Sequence, residues 1–383
     1  QTNPAATSWI DDDNVSVRLI SATNATGMAD ANSPLIFGLE FQLAENWKVY
    51  WRSPGDAGYP PTPDWALSKN VSRADIQWPA PVRFSILGFE TLGYKHEVVY
   101  PISVIPERPG EAVKLAGEVD FLACAGICIS MIAKLALELP SGEASPSSFA
   151  HLINKYSVRV PGNGSAHGLS LQNLSLYPAP KDGNPTLSIT ATSAPGLPFT
   201  DPDVFMEGPE GLAYSKPNIV ISDDGLKATL FVEVFGAGAK DLTSDDTWFI
   251  ATLVDGDRFA EQSMPVQLAP SGATPPKPTT QSPLPTQQYS LIGILLIAFL
   301  GGLILNLMPC VLPVLSIKLL SVINHGGSDS KTVRLSFLAS AAGIIVSFLI
   351  IAGALAVLKS TGAAIGWGIQ FQPPWFIVGL SVL

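Results

Sequence analysis

Cysteine is scarce: Cys124, Cys128 and Cys310 are the three in 383 residues. That excludes a scaffold built on disulfides, and a chain of this length buries a core large enough to do without one. What the cysteines do is therefore local. Charge is scarce as well, with Asp, Glu, Lys and Arg making up 14% of the chain at a net −10. Nucleic-acid binding needs clustered Lys and Arg to neutralise phosphate, and no such cluster is present, so nucleic acid is excluded as a partner. An initiating Met is also missing. The start at Gln1 is what removal of a leader peptide would leave.

Apolar residues are plentiful, at 47% with a mean hydropathy of +0.30, and they are unevenly spread. From residue 284 onward the only charges are Lys318, Asp329, Lys331, Arg334 and Lys359, so the acidic excess belongs to the front of the chain. Residues 291–317 and 335–358 carry no charge, and each run exceeds the roughly 20 residues that cross a bilayer as helix. Residues 362–383 form a third apolar stretch, interrupted by Gln370, Gln372, Pro373 and Pro374, which predicts a broken entry before the helix resumes. The sequence ends on "FIVGLSVL" without a polar flank, as expected of a piece of a longer membrane protein. The loop between the first two spans is rich in Lys and Arg and is assigned to the cytoplasm, which places the front of the chain on the opposite side.

Ahead of the first span, residues 271–289 are dominated by Pro, Ser, Thr and Gln, the composition of a semi-extended tether. Upstream of it, short segments such as "SVRLISA", "LIFGLEFQLA", "HEVVYPISVI", "LSLQNLSLYP", "PTLSITATS", "KATLFVEVFG" and "TWFIATLVDG" alternate apolar and polar residues between Pro and Gly breaks. This pattern predicts antiparallel β-sandwiches. A single helix is predicted in "SPSSFAHLINKYSV", with Phe149, Leu152, Ile153 and Tyr156 at helical spacing and Ser145 as its cap before Pro146. The loop "VPGNGSAHG" divides the region. The expected architecture is therefore multidomain: a β-sandwich over 1–160 carrying the cysteine pair, a second over 165–270, the tether, and helical membrane spans over 290–383.

Cys124 and Cys128 flank Ala125, Gly126 and Ile127 between two strand-like segments. A straight strand would hold positions i and i+4 about 13 Å apart, whereas a turn containing Gly126 brings them within bonding reach. Three readings stay open. So short a loop gains little from closure, which weakens a permanent staple. A zinc clip lacks an evident second ligand pair among His96, His151 and His167. Reversible thiol chemistry is the third. Cys310 lies in "NLMPCVLPVLSIK", between Pro309 and Pro313 and near Asn306. The prolines remove helical hydrogen bonds, and backbone opened inside a membrane persists only if it is buried in protein or lines a wet cavity. Packing as a small apolar residue is the plain alternative for this cysteine.

That segment closely resembles the first membrane span of the DsbD family of thiol:disulfide interchange proteins. "GWGIQFQPPWFIV" (366–378) resembles the entry to the family's third span, and "NWKVYWRSPGDAGYPPTPDW" (46–65) resembles the N-terminal domain of the ScsB-type branch, as does the three-residue spacing in "DFLACAGICIS". The resemblance implies an immunoglobulin-like N-terminal domain in the periplasm of a bacterium and a multi-pass inner-membrane domain. It also implies two-electron transfer from cytoplasmic thioredoxin, through intramembrane cysteines, to the outer pair Cys124 and Cys128. From there electrons pass to periplasmic thioredoxin-like or peroxidase-type thiol proteins, or to cytochrome c-type biogenesis. Cys310 is then one half of the membrane pair, with Asn306, Pro309 and Pro313 in support. No cofactor is required, because each step is a mixed disulfide between cysteine pairs. A second membrane cysteine and a terminal Cys-x-x-Cys domain are expected beyond Leu383.

The resemblance further implies a loop in "GFETLGYKHEVV", including Phe89 and Tyr94, that shields the thiol pair. Trp47, Tyr50, Trp51, Tyr59 and Trp65 read as core or loop packing, and His325 is given no role. Two alternatives in other classes remain. One is a membrane-tethered β-sandwich binding or chaperone module with a structural disulfide. The other is a copper-tolerance protein using Cys124, Cys128 and Met131.

Overall fold

The alternation read from the sequence appears in space as strands with one face buried. A computed structural model describes residues 5–269, apart from 28–32, 87–88, 180–182, 237, 240–241 and 243–246. Beyond 269 it describes residues 300, 301, 339, 342, 343 and 346, all helical. The chain divides into two compact units, Gln1–Lys277 and Pro278–Leu383. Among the described residues no helix is long and apolar enough to cross a membrane. Apart from these six, the residues of the three predicted spans lie outside the described residues, as do the whole tether and Asn306, Pro309, Cys310 and Pro313.

The first sandwich has two antiparallel sheets. One runs β1 (Ile10–Asp12), β2 (Val15–Ser21), β3 (Leu35–Leu43), β9 (Glu97–Ile105), β6 (Arg73–Ile76) in spatial order. The other runs β11 (Cys128–Leu139), β10 (Val113–Cys124), β4 (Lys48–Gly55), β8 (Phe89–Lys95), β7 (Val82–Ile86), with β5 (Thr62–Asp64) added beside β10. In β10 the odd positions Val113, Leu115, Val119, Phe121 and Ala123 are fully buried, while the even positions face outward. Between the sheets, Phe41 meets Phe121 and Tyr100 edge-on at centroid distances of 4.9 and 5.7 Å, and Tyr94 meets Tyr100 at 5.3 Å. Buried tyrosines need partners, and Tyr100 donates to the Tyr50 carbonyl at 2.9 Å. Gly117 has a steric reason: a Cβ there would lie 1.9 Å from the Asp64 carbonyl oxygen, so only glycine lets β5 approach β10.

The predicted helix is α1, Ala150–Ser157, and it begins later than its sequence signal suggests. Ser145 does not cap it. The Ser145 amide donates to Asn24 Oδ1 and Pro146 bridges to Thr23, so this stretch is extended against the end of β2, and the Ser147 hydroxyl instead accepts from the Phe149 amide. Ile153 and Tyr156 carry the buried face of the helix, which packs on β9.

After a short 3₁₀ turn, Ser165–His167, the second set of strands begins. One sheet runs β15 (Leu212–Tyr214), β17 (Lys227–Gly236), β13 (Thr186–Ser193), β12 (Leu169–Tyr177), β20 (Gln267–Leu268), with β16 (Asn218–Ile221) also on β17. The other is β14 (Pro202–Glu207), β18 (Trp248–Asp255), β19 (Arg258–Pro265). Its core, built around Leu187, Ile189, Leu230, Phe249 and Leu253, is separate from the first.

The two sets of strands meet through partly buried ion pairs and an aromatic contact. Arg52 binds Glu207 through two nitrogens, the closer at 2.6 Å, and Glu261 at 2.6 Å. Burial works against this guanidinium's charge, but the bonds and charges of Glu207 and Glu261 outweigh it and raise its pKa further. Arg83 grips Asp203 at 2.8 and 2.9 Å, and Trp51 packs on Phe205 at 5.9 Å. Phe205 counts among the core residues of the first sandwich although it belongs to β14.

Two outcomes follow. Arg52→Ala leaves Glu207 and Glu261 without their cation and is expected to destabilise the chain by about 2–3 kcal/mol, seen as an earlier urea midpoint in tryptophan fluorescence. The second concerns Asp255, which is buried. Burial pushes its carboxyl pKa up, but bonds from the Asp201 and Thr200 amides, the Thr200 hydroxyl and Arg258 outweigh this, and the net shift is downward. A depressed carboxyl pKa contributes stability above its unfolded value and loses it as pH falls through the folded one. Wild type should therefore lose stability below about pH 4, and Asp255→Asn should be less stable at neutral pH with a flatter acid limb in thermal melts.

Candidate functional site

β10 and β11 pair without interruption from Val113↔Leu139 to Cys124↔Cys128, and this hairpin carries the two cysteines at its tip. They are disulfide-bonded, with Cα atoms 4.1 Å apart. The turn Ala125–Gly126–Ile127 is tied by the Ala125 amide donating to the Ile127 carbonyl at 2.8 Å. The turn expected from the sequence is present, but it does not draw on glycine's freedom. Gly126 is not among the positive-φ residues, and a Cβ built on it meets nothing within 4 Å.

The two sulfurs differ in environment. Cys124 is 2% exposed, covered on the outer face of the sheet, whereas Cys128 and its neighbour Ile127 are exposed. An exposed sulfur can be reached by another protein's thiol and a covered one cannot. The pair is thus chemically asymmetric before any partner arrives.

Strand register extends the site sideways. Cys124 pairs with Lys48 of β4, and Lys48 pairs with Lys95 of β8, so Cys128, Cys124, Lys48 and Lys95 form one row across four strands on one sheet face. Lys48 is 3% exposed and Lys95 is exposed. Both ammonium groups lie over the Phe84 ring, at 5.0 and 4.6 Å. Burial lowers the Lys48 pKa, and the charge of Lys95 lowers it further. Along the hairpin on the same face, Tyr59 donates to Asp120 Oδ1 at 2.6 Å and lies 2.8 Å from Ser130 Oγ, which fastens the loop before β5 over the hairpin. Burial, followed by the bond to Asp120, raises the Tyr59 pKa and keeps the hydroxyl protonated.

Of the residues singled out in the sequence, Cys124 and Cys128 come together. Tyr94 is buried in the core with its hydroxyl on the Pro79 carbonyl at 2.6 Å, in strand β8 rather than in a loop. Phe89 is 51% exposed at the opposite end of β8, six residues along the strand from Lys95 in the cysteine row. Met131 pairs with Phe121 and packs against the core, on the face opposite the sulfurs. Among the described residues no group of three or more His, Cys, Asp or Glu side chains is gathered to hold a metal ion. Tyr59, read as core or loop packing, holds its loop on the hairpin, whereas Lys48, Lys95 and Asp120 were missed, because only strand register brings them to the pair.

A disulfide at the tip of an edge hairpin on an immunoglobulin-like sandwich is the arrangement of a thiol–disulfide interchange domain. Residues 16–140 match the family described as thiol:disulfide interchange protein DsbD, N-terminal, and residues 159–269 match a family described as a domain of unknown function. The likeness to the DsbD family therefore lies in the N-terminal domain, residues 16–140. Its fold is similar to the crystal structure of the N-terminal periplasmic domain of ScsB from Proteus mirabilis, with a TM-score of 0.55, 24% identity, and coverage of 70% of this chain and 100% of that one. The Neisseria meningitidis DsbD N-terminal domain in its reduced form aligns at 12% identity over 34% of this chain and 90% of its own, with a TM-score of 0.20. No curated protein sequence matches the chain.

Gly126→Ala is expected to leave stability within about 0.5 kcal/mol of wild type and the disulfide formed, checked by thermal melting and by thiol counting before and after reduction.

Proposed function

We propose that the chain is a membrane protein-disulfide reductase in which Cys124 and Cys128 form the outer exchange pair. The observation that carries this reading is the unequal exposure of the two sulfurs in a hairpin that belongs to a thiol:disulfide interchange domain. In the reductive direction, a donor thiolate attacks Cys128 Sγ and the sulfur–sulfur bond breaks toward Cys124. A second donor thiol then releases Cys128, leaving the donor oxidised and the pair reduced. Reduced Cys128 next attacks a disulfide of a periplasmic thioredoxin-like or peroxidase-type protein, and Cys124 resolves the mixed disulfide. Two electrons and no cofactor are needed.

In the full scheme the electrons start at cytoplasmic thioredoxin and pass through an intramembrane pair that includes Cys310, in an inner-membrane protein whose front region is periplasmic. Support for this part comes from the "NLMPCVLPVLSIK" segment, the charge-free runs and the periplasmic origin of the ScsB structure. Thioredoxin near −270 mV is reducing enough to drive the transfer outward, because about 30 mV corresponds to about 1.4 kcal/mol.

The test is trapping in the full-length protein. Cys124→Ala leaves the exposed Cys128 without its resolving partner and should accumulate mixed disulfides with periplasmic thiol proteins, whereas Cys128→Ala should accumulate far fewer. No adduct from either variant, together with a bridge that reduces only far below about −300 mV, would make the disulfide a permanent staple and overturn the reading.

A further inference from the structure

A thiolate at Cys124 has a solvation problem. When the bridge opens by attack on Cys128, the electron pair of the broken bond leaves on Cys124, whose side chain is 2% exposed. A negative charge withdrawn from water needs a compensating cation. The directly opposed residue on the neighbouring strand is Lys48, on the same face of the sheet. Neighbouring strands lie about 4.8 Å apart, so Lys48 is the nearest charged position to Cys124 by register.

The other charged or titratable groups facing this row are further away or already engaged. Lys95 stands a second strand out, about 10 Å across the sheet. Asp120 lies four residues down β10, roughly 13 Å along the strand, and accepts from Tyr59. Glu118 pairs with Lys134 of β11, Arg52 of β4 is held by Glu207 and Glu261, and Arg83 of β7 is held by Asp203. Tyr50, on β4, is buried. Lys48 itself is almost wholly covered, and among the described residues it has no carboxylate partner. In the disulfide form it is a covered cation without a counter-charge.

We propose that Lys48 is a positioning residue for thiol–disulfide exchange. In the disulfide form its ammonium lies over Phe84 of β7; from the position directly opposed to Cys124 it swings back across β4 and compensates the thiolate that Cys124 becomes as the bridge opens and that it must be again to resolve a mixed disulfide. The missing counter-charge of the oxidised state is then supplied by reduction itself. The lowered pKa of Lys48 fits this arrangement, since burial and then Lys95 work against its charge and an anion beside it would offset them. Lys48→Met keeps the length of the side chain and removes a charge that burial already disfavours, and thermal melting of each variant checks that it is folded.

The inference rests on the exchange reading, and the test separates the two. In full-length protein carrying Cys128→Ser, alkylation of Cys124 is followed against pH and resolved by mass spectrometry of its peptide. Burial sets the plateau rate equally in all variants, and the midpoint reports the thiol. Lys48→Met should raise the midpoint and slow alkylation at pH 7 roughly tenfold, with Lys48→Gln as a second neutral variant. Lys48→Arg should restore the wild-type midpoint, and Lys95→Met should not raise it. An unchanged midpoint in Lys48→Met and Lys48→Gln, with a bridge that still exchanges with dithiols, overturns the role of Lys48 alone. A wild-type bridge that no dithiol opens overturns the exchange reading and this inference with it.

Discussion

The uninterrupted pairing of Val113–Cys124 with Cys128–Leu139 governs most of what the first sandwich can do. A one-residue slip would send Phe121, Val119 and Leu115 to solvent and turn both sulfurs into the core. Burial of those three side chains therefore fixes more than stability. It fixes the face on which the disulfide stands, and with it the identity of the neighbours across the sheet, Lys48 and Lys95 on one side and the Tyr59 loop along the hairpin. The site is a by-product of a well-specified register.

The second set of strands is bound to the first through groups that few surface contacts would provide. Arg52 alternates along β4 with the core residue Trp51, and so the strand that contributes Lys48 to the redox row also contributes the guanidinium that holds Glu207 and Glu261. Charge and packing act together there. Trp51 leans on Phe205 next to the ion pairs, so breaking one partner of a pair would leave a partly buried charge uncompensated.

Much of this was legible in the sequence where information is local. β2, β3, β9, β12, β13, β17 and β18 coincide with alternating apolar segments, and the cysteine spacing announced a hairpin tip. Legibility failed where a distant contact overrides a local signal. Ser145 and Pro146 look like a helix start but pair with the end of β2. The resemblance implied a loop in "GFETLGYKHEVV", yet Gly93 sits inside β8, where any Cβ would strike the Val49 carbonyl. Gly126, the residue that seemed to permit the bend, is dispensable to it. Lys48 in "NWKVYW" carries no mark of its importance, because its relation to Cys124 exists only through strand pairing, and Arg52 meets partners 155 and 209 residues away.

The unequal covering of the two sulfurs has a kinetic meaning. A disulfide open on both sides can be attacked at either atom, and half of such collisions would strand the wrong cysteine in the adduct, to be undone before turnover continues. Here the sheet blocks one line of approach, so in-line displacement is confined to a cone around the hairpin tip. On the exchange reading, encounters are fewer, but each one that reacts gives the same regioisomer, with the resolving sulfur already in place behind it.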